Sequence, residues 1–168
     1  KLGAFANFSH LVRTPALILD EGGFILPLYH ELARKYALVA FFDEKANLLY
    51  TKRLNLLKNQ LQPSIIADNV GGVQCLIFLR NHKAYENTAF LQTCSGRGYT
   101  TSEPVATNLK SYDSSSVLGL IFVDYKDWDF KKSEVVLIHN DGGKENPRSK
   151  LSLFWLKDKE KGEFVKLL

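Results

Sequence analysis

The chain contains no methionine, only two cysteines in 168 residues, and no apolar run that approaches the ~18 residues needed to span a bilayer. Each absence excludes something. Without an initiator methionine, the chain is expected to be the interior of a longer gene product or a sequence written without its methionines, so spacings hold to one or two positions. The cysteines, Cys75 and Cys94, make neither a zinc pattern nor a disulfide framework, so a reducing, cytoplasmic setting is expected. Residues 1–10 lack the basic start and apolar core of a secretory leader, and no membrane association is expected. No Walker-type loop, no G-x-G-x-x-G turn and no Ser-His-Asp arrangement is present, which removes the commonest phosphate-loop, dinucleotide and serine-hydrolase readings. Neither an internal repeat nor a low-complexity linker stands out, so residues 1–168 read as a single domain.

The composition is that of a globular protein, with 45% apolar and 24% charged residues. A net charge of +4 and a pI near 9.0 permit a polyanionic partner without demanding one.

Short apolar runs alternate with longer amphipathic ones. Residues 16–20 (ALILD) form an apolar run closed by an acid and followed by Glu21-Gly22-Gly23, a buried strand and a turn. Residues 24–36 place Leu28, Leu32 and Tyr36 at helical spacing, with Pro27 in the first turn. A second apolar run, 37–42, ends at Asp43. Residues 46–62 read as the clearest helix, stopped by Pro63, and a third short strand, 64–67, ends at Asp68. Strands alternating with helices predict a parallel sheet with right-handed crossovers. Residues 73–79 (VQCLIFL) are strand-like, 95–116 are turn-rich, and 151–168 read as a closing β-hairpin about the charged tip 157–162.

Asp20, Asp43 and Asp68 close the three strands at intervals of 23 and 25 residues. In an open parallel sheet, ligands bind beyond the carboxyl ends of the strands. A carboxylate after the second strand suits two vicinal ribose hydroxyls, and one after the third suits an exocyclic amine. Asp and Asn also follow strands simply because they start turns and cap helices. The stretches LILDEGG, LVAFFDEKANLLYTKRLNLLKNQL and SIIADNV resemble, in order and spacing, three motifs of the class I S-adenosylmethionine-dependent methyltransferases. That resemblance implies an α/β, Rossmann-like three-layer sandwich, mainly parallel, with a C-terminal antiparallel β-hairpin. It also implies S-adenosylmethionine as cofactor, held by Asp20, Gly22 and Gly23 near the methionine end, Asp43 on the ribose and Asp68 near the adenine. The first loop departs from the family pattern in carrying only two glycines.

A second resemblance concerns Cys94. The run from Thr93 to Gly98 (TCSGRG) is similar to the P-C-S-G-x-G loop of the RNA cytosine-5 methyltransferases, where a cysteine assists release from the base. Thr93 replaces the proline, and no second cysteine stands near 130–145. A catalytic thiol must reach its thiolate, which nearby cations favour. The expectations are therefore methyl transfer, with RNA as acceptor and Cys94 as its catalytic residue. The alternative is a non-catalytic Rossmann-like binding or assembly module with a degenerate nucleotide site.

Overall fold

The protein, seen in a computed structural model, is described over residues 9–32, 34–68, 74–95, 100–113, 117–124 and 133–168. Three antiparallel sheets follow one another along the chain. The first sheet contains β1 (His10–Leu11), β2 (Leu17–Ile18), β3 (Phe24–His30), β4 (Tyr36–Phe42) and β5 (Leu48–Arg53). The middle sheet contains β6 (Gln60–Asp68), β7 (Gln74–Asn81), β8 (Thr88–Ser95), the short β9 (Thr100–Thr101) and β10 (Val105–Lys110). The last sheet contains β11 (Val117–Asp124), β12 (Ser133–Asn140), β13 (Leu151–Asp158) and β14 (Glu163–Lys166). Each is in essence a four-strand meander, with neighbours in sequence paired in space.

In the first sheet the opening strand is broken. β1 pairs with the end of β3 (His10↔His30, Leu11↔Tyr29) and β2 with its start (Leu17↔Ile25, Ile18↔Phe24). The gap lies opposite Pro27, which has no N–H to give to a ladder. On its other side Pro27 stands opposite Val39 of β4. Thr14, in the gap, is buried and donates its hydroxyl to the Pro63 carbonyl of β6 at 2.8 Å, fastening the first sheet to the middle one.

The middle sheet is covered on both faces. Alternation along β7 sends Cys75, Ile77 and Leu79 toward Ile25, Val39 and Phe41 of the first sheet, and Leu76 and Phe78 toward Leu137, Phe154 and Phe164 of the last. Full burial of one such side chain stabilises by roughly 1.5–3 kcal/mol. Gln92 of β8, also buried, donates to the Leu54 carbonyl at 2.7 Å and the Ser102 carbonyl at 2.8 Å, and accepts from Asn55, so its amide is satisfied.

This architecture corrects the expected one. Strands stand near 16–20, at 37–42 and at 64–68, but the segments between them are strands and turns rather than helices, and the pairing is antiparallel. The α/β Rossmann-like sandwich is therefore absent. The apparent helix at 24–36 is β3, whose Ile25, Pro27 and Tyr29 alternate inward, followed by the connection to Tyr36 at the start of β4. The apparent helix at 46–62 is a turn, then β5, then a loop leading into β6; Ala46 and Asn59 take left-handed backbone (φ 60 and 58) that no right-handed helix accommodates. Continuous apolar runs suggested a parallel sheet because such runs mark strands buried on both faces. Here stacking of antiparallel sheets buries them instead. The closing hairpin is present as β13 and β14.

Candidate functional site

The strands give the molecule two ends. One carries the hairpin turns that follow β2, β4 and β13, and there the expected cofactor residues stand. Asp20 is exposed within the turn at 19–23, which is closed by backbone bonds from Leu19 to Gly23 and from Gly22 to Leu19. Gly22 and Gly23 have φ of 90 and 81, and a Cβ on Gly23 would run into the Phe42 carbonyl. Gly23 thus serves close approach of backbone to backbone, while a Cβ on Gly22 would meet the Glu44 side chain. The Oδ1 of Asp43 accepts from the Lys45 N–H at 2.9 Å and the Asn47 N–H at 2.7 Å, while Oδ2 accepts from the Asn47 amide at 2.8 Å. The Asn47 bonds, the amide's first, hold the Asp43 carboxyl below the usual carboxylate range. Asp158 repeats the device in the last sheet, accepting from Glu160 and Lys161. Asp68 ends β6, with its side chain outside the described part.

A recess of about 450 Å³ at this end is lined by Gly22, Asp43, Glu44 and Tyr50 among others, so the structure does bring two of the expected residues together. Two of its polar side chains, Asp43 and Asn47, are engaged in holding the turn at 43–47.

Cys94 lies directly opposite Cys75 across β7 and β8, and the two form a disulfide with Cα atoms 5.1 Å apart. Both are 3% exposed. A bonded sulfur has no thiol to ionise, so the proposed role for Cys94 finds no nucleophile or acid here. Residues 96–99 of the adjoining loop, with Gly96, Arg97 and Gly98, lie outside the described residues.

The other end is chemically different. There Arg80, the penultimate residue of β7, is wholly buried, and none of its three side-chain nitrogens has a hydrogen-bond partner among the described residues. Alternation puts it on the side of β7 that carries Leu76 and Phe78. Burial pushes the guanidinium pKa down to about 10, against the pull of Asp113 and Glu31, while Arg13 pushes the same way as burial; Tyr29 also acts on it. Those residues come from the gap between β1 and β2 (Arg13), the end of β3 (Tyr29), the turn after it (Glu31) and the link between β10 and β11 (Asp113). Asp113 accepts from Arg148 at 2.9 Å. The start of β6 adds buried amide atoms without partners among the described residues: both polar atoms of Gln60 and the oxygen of Gln62. In register, Gln60 faces Asn81 and Leu61 faces Arg80.

Buried polar atoms are nearly always bonded, and an unsatisfied charged group is the costliest exception. Such groups gather at the Arg80 end, and none of them lines the recess beside Asp43. Chemically, a guanidinium in a low-dielectric setting is a fork of donors suited to a planar anion. None of Arg13, Tyr29, Glu31, Arg80 or Asp113 was singled out from the sequence. The available signal was Arg80 itself, a single charge closing the apolar run that begins at Val73.

In comparisons with curated proteins and with solved structures no match was found. One family model matches, over residues 1–168, and it describes a BNR repeat-like domain. With the all-antiparallel sheets, this match overturns the resemblance to the methyltransferases, and with it the methyl-transfer function and the Rossmann-like alternative. Three successive meanders agree with a family built from repeats, although no repeat was apparent from the residues alone. The chain belongs to the BNR repeat-like domain family.

Proposed function

We propose that the strand-end face around Arg80 binds a small anionic ligand through a carboxylate, with Arg80 as its buried counter-charge. The observation that supports this is the fully buried guanidinium without a hydrogen-bond partner among the described residues. An anion would satisfy its donors, and Gln60 and Gln62 offer neutral donors and acceptors nearby for the rest of the ligand. The loops at this end carry Arg34, Lys35 and Lys83 beside Glu31 and Glu86, with Arg148 paired to Asp113, so the surface charge is mixed and Arg80 is the group the reading rests on.

Calorimetric titration with glucuronate, inorganic phosphate and a short RNA oligonucleotide tests the reading. Glucuronate is expected to bind, and Arg80→Met to weaken it by roughly ten- to a hundredfold, as loss of hydrogen bonds to a charged group implies. RNA binding that ignores Arg80→Met would place the anion site elsewhere. Silence from all three probes would remove the proposal.

A further inference from the structure

Both cysteines of the chain fall on one opposed pair, Cys75↔Cys94, between adjacent antiparallel strands. Their Cα separation of 5.1 Å lies within the range a disulfide spans without moving the backbone. They sit among Val39, Phe41, Ile77 and Leu79, on the face of the middle sheet that meets the first sheet. The side chains packed around them are apolar, which raises a thiol's pKa, and at 3% exposure neither sulfur is open to substrate. A metal role is equally unsupported, since no group of three or more His, Cys, Asp or Glu with metal-holding geometry occurs among the described residues. What the pair can do is crosslink. The bond closes the β7–β8 hairpin, with a sequence separation of 19, and that hairpin is the element that delivers Arg80.

We propose that Cys75 and Cys94 form a permanent structural disulfide and that the protein works in an oxidising compartment, not in the reducing cytosol that the sparse cysteines suggested. Disulfides persist in oxidising surroundings and are rare where glutathione and thioredoxin keep thiols reduced. The oxidation is an exchange with the disulfide of a thiol oxidoreductase. One cysteine thiolate attacks a sulfur of that disulfide to give a mixed disulfide and release one thiol. The second cysteine then displaces the other, so the chain gives up two protons and two electrons and the oxidant becomes a dithiol. Burial afterward shields the bond from small thiols.

The test uses protein taken from its own cells, denatured in iodoacetamide without reductant and then digested. A peptide joining Cys75 to Cys94, with neither residue alkylated until reductant is added, is the expected result. Full alkylation of both before reduction would overturn the proposal, because it would show two buried thiols in the working protein. A second measurement does not depend on any variant folding: on the purified, crosslinked chain, reduction is expected to lower Tm by about 10 °C. An unchanged Tm would show that the bond constrains nothing and would sink its structural role. Neither result touches the anion proposal, which rests on Arg80.

Discussion

Arg80 holds more N–H donors than any other buried side chain of β7 and has no acceptor for them among the described residues. A buried, incompletely matched charge commonly destabilises relative to an apolar group of similar size. Arg80→Met is therefore expected to raise the unfolding free energy by about 1–3 kcal/mol, read as a higher urea midpoint at unchanged slope. A lower midpoint would mean that Asp113 and Glu31 depend on the charge more than burial opposes it. The histidines at the same end give a pH prediction. Burial, assisted by His30, lowers the pKa of His10 from 6.5, and burial, assisted by Arg80, lowers that of His82. The unfolded chain then binds these protons more readily than the folded one, so stability is complete above 6.5 and declines as pH falls through the lowered values. Thermal melts between pH 8 and pH 5 should show the decline, as rough bounds around the histidine range. His10→Asn should flatten it; an unaltered profile would assign the effect to other groups.

At the scale of the element, the turns hold most of the chemistry that the sequence advertised. Asp43→Ala removes three accepted hydrogen bonds from the turn at 43–47 and should lower the denaturant midpoint. Ala46→Gly should do the reverse, stabilising by about 0.5–1 kcal/mol, because Ala46 sits at φ 60, where a Cβ is unwelcome. Denaturant unfolding of both variants checks the pair, and equal effects of the same sign would contradict the turn geometry. These residues also show what was legible. The acids after the strands, the glycine turn and the closing hairpin could all be read, since turn chemistry is local. The intervening elements could not. Leu28 and Leu32 fall four apart by coincidence, and the covering of β4 and β7 on both faces erased the alternation that marks a strand. The anion site was hidden for a related reason. Arg13, Tyr29, Arg80 and Asp113 are far apart in sequence, and only the stacking of separate meanders brings their charges to bear on one another.

Across the whole molecule, the middle sheet supports the other two. Leu76, Ile77, Phe78 and Leu79 are all 0% exposed, with neighbours on both faces. Their amides should be the slowest to exchange with deuterium, and those of β1 and β2, two residues each at an edge, among the fastest. Uniform exchange across the three sheets would deny that ranking. Phe78→Ala, which opens a void facing Phe164 and His139, is expected to destabilise by about 3–5 kcal/mol in urea unfolding.

The Asp-capped hairpins have a practical side. They sit at the end remote from Arg80, their backbones are held by their own side chains, and residues 44–46 face solvent. A tether placed at residue 44 would anchor the molecule to a sensor surface by that end, leaving the opposite one facing the bulk. The fold thus comes with an orientation already chosen for immobilisation, and the choice was made by the turns.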